Sequence, residues 1–174
     1  IINFNRMRKS VLKFGLLTSL TLVILFAIQF SLGDSLSYSN SEIFGYISIV
    51  LALLFIYFAI KNYKESINNG SVSFGKALVI GVLVSLLAGL TFGIINYIYV
   101  EVINPEFMTE YYNHMVEKAK SSLSAAEFQI RLQDMEAEKA LFSNSIISSL
   151  VMSATVLIIG FIIAVISGLI LQRK

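Results

Sequence analysis

The sequence predicts an all-α polytopic membrane protein. It would have four transmembrane helices, with an extracytoplasmic amphipathic helical hairpin between the third and the fourth. Three observations predict this. First, 56% of the 174 residues are hydrophobic and 14% are charged, whereas soluble domains carry about 25% charged residues. Second, Asp, Glu, Lys and Arg are absent from the stretches 14–32, 43–60, 77–100 and 146–171. As a helix each reaches roughly 27 Å or more, about the thickness of a bilayer's hydrocarbon core. Helices of soluble proteins keep a polar face over such lengths, and in lipid a segment must satisfy its own backbone hydrogen bonds, which excludes open sheets. Third, the remaining charges are sorted by sign along the chain. Residues 1–174 are expected to form a single membrane domain, with the helical insert at 104–142.

The sorting gives the expected orientation. Arg6, Arg8, Lys9 and Lys13 precede the first apolar run, Lys61, Lys64 and Lys76 lie between the second and third, and Arg173 and Lys174 end the chain. Against these bases stands one acid, Glu65. Residues 33–42 hold Asp34 and Glu42 and no base, and residues 101–145 hold eight acids and four bases. Short segments rich in Lys and Arg stay in the cytoplasm, so both termini are expected there, with the insert outside. A signal peptide is the rival for the first run, with Ser31 and Gly33 of "FSLGDS" as small residues before a cut. The run is longer than the usual apolar core of about 7–15 residues, so a span is the preferred reading. The chain opens on Ile1, and Met7 is the candidate start of translation.

Membrane helices associate by close packing at small residues, because lipid tails are as apolar as leucine. The first run carries Gly15, Ser19, Ala27 and Ser31, with Val23 interrupting. The second carries Gly45, Ser48, Ala52 and Ala59. In the third, Ala77, Gly81, Ser85, Gly89 and Gly93 recur every four residues, and the fourth has Gly160, Ala164 and Gly168. These last eight are the predicted helix-packing seam, compatible with contact between spans or between copies. Tyr57, Tyr97 and Tyr99 lie near run ends, where tyrosine favours the membrane interface.

The connection 61–76 reads "KNYKESINNGSVSFGK". Lys61 to Ile67 are expected to prolong the second helix, with "NNG" ending it in a left-handed turn and Ser71 or Ser73 capping the next. "GSVSFGK" lacks the spacing of a phosphate-binding loop. The chain has no cysteine, so disulfides, thiolate metal sites and cysteine nucleophiles are excluded.

"KFGLL" opening the first span, "SEIFGYISIVLALLFIYFAIKNYK" as the second, "GSVSFGKA" after the basic loop and "NPEFMTEYYNHMVEK" after the third span appear here in that order. Together they resemble the bacterial membrane family called domain of unknown function 4199, over almost the whole chain from Met7 to Lys174. The resemblance implies four spans and a charged segment between the third and fourth. It implies no activity. With the charge pattern, it makes the bacterial cytoplasmic (inner) membrane the expected location.

In the insert, the residue before Pro105 is pushed out of helical geometry, so Asn104 is the expected N-cap and Pro105 the first helical residue. Met108, Tyr111, Tyr112 and Met115 then recur at helical spacing. "SAAE", Ser124 to Glu127, is a capping box opening a second helix from Ala125 to about Phe142. Phe128, Leu132 and Met135 share one of its faces. Glu127 and Arg131 have the spacing of a helical ion pair. These seven apolar residues are read first as packing on each other in a cap over the bundle, the alternatives being a candidate partner surface and contact with the outer leaflet. The acidity argues against nucleic acid as a partner.

His114, with Glu110 and Tyr111 nearby, could act as a base but is read as a solvated surface histidine, and Asp134 with Glu138 supplies too few oxygens for a hard cation. No catalytic, cofactor or metal site is therefore expected. The spans contain no ionisable group of the kind ion-coupled transporters use. Their strongest polar residues are Gln29 and Asn96, expected to hydrogen-bond to each other across helices. Three readings follow. The leading one is a non-enzymatic assembly or interaction protein whose partners are the bilayer and either itself or another membrane or extracytoplasmic protein. The second is a small transporter or channel subunit. The third, a membrane-embedded enzyme, has no supporting constellation.

Overall fold

The computed structural model describes residues 4–32 and 36–172. Ser31 falls within them, whereas Gly33 of the signal-peptide reading, Asp34, Arg173 and Lys174 lie outside. The described residues form helices α1 (Phe4–Leu32), α2 (Tyr38–Leu53), α3 (Phe55–Asn62), α4 (Phe74–Ile98), α5 (Phe107–Ser122), α6 (Ala125–Phe142) and α7 (Ser145–Leu171). Among the described residues four helical stretches are long and apolar enough to cross a membrane: Met7–Leu32, Tyr38–Ile67, Phe74–Ile103 and Ser145–Leu171. They overrun the charge-free runs at several ends, because backbone hydrogen bonding continues a helix wherever water can receive the charged side chains.

Two compact units divide the chain. One comprises residues up to Phe92 and from Met152 onward, and the other comprises Gly93–Val151. In the first unit, α1 buries Met7, Val11, Thr18, Leu22 and Phe26, a stripe at the three- and four-residue spacing of one helix face. Its contacts with the α2–α3 segment run antiparallel: Ser10 Oγ donates to the Ala59 carbonyl at 2.7 Å, and Phe14 meets Phe55 at 6.5 Å. Its contacts with α4 run parallel. Gly15 lies against Leu87, Thr91 donates to the Ser19 hydroxyl at 2.8 Å, and Phe26 meets Phe92 at 4.8 Å.

α4 and α7 are antiparallel and pack along their small residues. Gly81 faces Ala164, and Gly160 faces Ser85 and Leu53. A Cβ on Gly89 would stand 2.9 Å from the Ser153 carbonyl oxygen, and one on Gly168 3.4 Å from Ala77 Cβ. The small stripes of the third and fourth spans thus meet within one chain, with backbone close to backbone. Gly93, the outermost residue of the α4 stripe, is buried in the second unit.

Both the second and third spans end in a π-helical turn, Tyr63–Ile67 and Tyr99–Ile103. The amide of Asn68 donates to the Tyr63 carbonyl at 2.9 Å, and that of Asn104 to Tyr99 at 2.8 Å. Both turns read Tyr-x-Glu-x-Ile-Asn. After the first, Asn69 (φ 53°) and Gly70 (φ 82°) take the left-handed conformation expected of "NNG". Ser71 closes this turn through the Asn68 carbonyl, and the Ser73 hydroxyl accepts the Lys76 amide at 3.5 Å.

Candidate functional site

The second unit, Gly93–Val151, contains the charged insert. Its frame is the end of α4 and the start of α7. Asn96 Nδ2 donates to both Ser148 Oγ and Ser149 Oγ at 3.1 Å. One turn further on, Ser145 donates to the Glu101 carboxylate in a close hydrogen bond. Asn144 Oδ1 caps α7, accepting the amides of Ile146 and Ile147 at 3.0 and 3.1 Å. The two ends of the insert are therefore tied together by polar side chains.

Asn96 makes the interhelical polar contact expected of it, with Ser148 and Ser149 of α7 as its partners. Gln29, expected to pair with it, takes a partner of its own, Nε2 donating to the Ser41 carbonyl at 3.1 Å. Gln29 Oε1 is buried and accepts nothing among the described residues.

α5 starts later than expected. Asn104 ends the π-helical turn instead, and its carbonyl accepts the Phe107 amide at 3.1 Å across a turn containing Pro105. Phe107 is the first helical residue and Glu106 the N-cap. The extended backbone that proline imposes on Asn104 accounts for this shift. Tyr99, Phe107 and Tyr111 form a ring sequence with spacings of 5.2 and 5.9 Å.

α6 has the bounds and the capping box expected of it: Ser124 Oγ accepts the Glu127 amide, and the Glu127 carboxylate accepts the Ser124 amide at 3.1 Å and hydroxyl at 2.6 Å. These bonds, the hydroxyl's foremost, hold the Glu127 carboxyl below its ordinary value of 4.5. Glu127 is thereby drawn away from Arg131, which pairs instead with Glu138 at 3.1 Å, two turns along. Glu138 is thus engaged by a cation, and among the described residues no group of three or more His, Cys, Asp or Glu gathers as metal ligands would.

α5 and α6 pack on each other. Of the seven candidate partner residues, Met135 is buried, and Met108, Tyr111, Tyr112, Met115, Phe128 and Leu132 are half-buried. Lys139 lies over the Tyr112 ring at 4.4 Å, joining α6 to α5. The most exposed apolar side chains of the hairpin are others: Ile130, 67% exposed, and Leu141, 49%. Eleven residues apart, about three helical turns, they share one side of α6. Sequence reasoning passed over them because they lie off the apolar stripe of Phe128, Leu132 and Met135, although the spacing was there to read.

The family described as "Protein of unknown function (DUF4199)" matches residues 13–173. The chain belongs to this family. No curated protein and no solved structure matches it. Family membership agrees with the order of parts along the sequence and carries no activity with it.

Proposed function

We propose that this DUF4199 member is an integral protein of the bacterial cytoplasmic membrane that serves assembly or interaction rather than catalysis, with its insert outside the cell membrane as the contact element. The observation that carries the membrane reading is the outer surface of the long helices. Leu16 (64% exposed), Leu90 (63%) and Ile158 (63%) belong to broad faces of leucine and isoleucine. Soluble proteins rarely leave apolar patches of this extent uncovered, and lipid covers them without cost. The charge sorting supports cytoplasmic termini and an outer insert. Ile130 and Leu141, exposed on one side of α6, support protein contact as the insert's role.

Because the chain has no cysteine, single cysteines report topology without background. A thiol at Ser121 in the insert should react with a membrane-impermeant maleimide in intact cells, and one at Ser66 only after permeabilisation. The reverse pattern would overturn the orientation. Crosslinking from native membranes should capture a partner with the full chain and lose it with Ile130→Glu and Leu141→Glu. Substrate flux through the purified protein in proteoliposomes would replace this reading with a transporter.

A further inference from the structure

Arg8 stands beside an apolar groove between α1 and α4. The two helices touch where Gly15 meets Leu87. Toward their N-termini they leave a groove of about 260 Å³, lined by Arg8, Val11, Leu12, Leu83, Leu86 and Leu87. Lys76 lies seven residues before Leu83 and so falls on the same face of α4. Among the described residues the ion pair present joins Arg131 to Glu138, and neither Arg8 nor Lys76 has a carboxylate partner. Arg8 is roughly 10 Å along the axis before Gly15, while Leu87 is roughly 20 Å past the start of α4. Arg8 therefore lies roughly 10 Å inward of the first residue of α4, beside leucine side chains. The Ser10–Ala59 hydrogen bond sets Arg8 level with Lys61, at the charged end of the second span, where its aliphatic stem lies along the leucines and its guanidinium reaches the interface.

We propose that this groove holds an anionic phospholipid. One acyl chain lies along Val11, Leu12, Leu83, Leu86 and Leu87, and the headgroup phosphate meets the Arg8 guanidinium and the Lys76 ammonium. Guanidinium groups bind phosphate in paired, charge-assisted hydrogen bonds, and basic pockets between spans on the cytoplasmic side recognise anionic headgroups. The inference rests on the membrane reading above.

The test is native mass spectrometry of the full chain in non-ionic detergent. It is titrated with phosphatidylglycerol or with phosphatidylcholine of identical acyl chains. Each engaged cation contributes a preference of roughly fivefold for the anionic lipid. Arg8→Gln and Lys76→Gln should each lower the preference by that factor, while Arg8→Lys and the control Lys120→Gln on α5 should keep most of it. Equal uptake of the two lipids by the unaltered chain would overturn the proposal. So would a preference unchanged in both glutamine variants, or displacement of phosphatidylglycerol by inorganic phosphate. Should Arg8→Gln fail to fold, Lys76→Gln and Arg8→Lys decide. Failure of the membrane reading shows separately, as a chain that stays folded and monodisperse without detergent.

Discussion

Glu127 precedes Arg131 by one helical turn, yet its carboxylate turns back to Ser124. At a helix start the backbone amides have no partner inside the helix, so a carboxylate that satisfies one gains more than it would from a solvated cation. The lowered pKa of Glu127 fixes the sign of its pH dependence. Its stabilisation of the first turn of α6 is complete above the ordinary carboxyl value and is lost as pH falls through the lowered folded one. Titration of Glu127 followed by NMR should show a midpoint below 4.5, and Ser124→Ala should return it toward that value. Asn96 makes the opposite point. Asn96→Leu removes the donor shared by Ser148 and Ser149 and should cost about 1 kcal/mol, measured as a lowered thermal midpoint in detergent. The capping box was legible in four consecutive letters because it is local. The partners of Asn96 were not, since they lie across the insert and only the fold brings them near.

Between helices, the seam of α4 and α7 concentrates the consequences of single substitutions. Gly81→Leu and Gly160→Leu would each drive a side chain into the facing helix, at Ala164 and at Ser85. Overpacking of this kind costs about 1–3 kcal/mol or more. Both variants should unfold at lower temperature than the parent. Gly89→Leu should do the same, because the obstacle is the Ser153 carbonyl, which is backbone and cannot rotate away. Gly75→Ala is the control. Its added methyl meets nothing within 4 Å, so the better helix propensity of alanine should leave stability equal or slightly raised. The stripes themselves were legible in the four-residue period. Their pairing needed three dimensions, because any two small faces are compatible in sequence. The π-helical turns were missed altogether. The shared Tyr-x-Glu-x-Ile-Asn was present in the letters, but no residue type is tied to a hydrogen bond reaching five residues back.

Across the whole molecule, the bond between Glu101 and Ser145 joins the two ends of the insert. A short Gly-Ser linker in place of residues 105–142 would close this gap at small entropic cost. The unit comprising residues up to Phe92 and from Met152 onward holds its own buried residues. The shortened chain should therefore keep its helical circular dichroism per residue and unfold within ~4 °C of the parent. A collapse of the remaining helices would show that the insert is needed to build them. The four long apolar helices were legible from the missing charges alone, since lipid imposes one requirement on every side chain it touches. The face-to-face arrangement of α4 and α7 also bears on self-association. With these two bare ridges turned inward upon one another, their glycines are already occupied within one molecule, and a second copy drifting through the bilayer has no access to that seam for close approach.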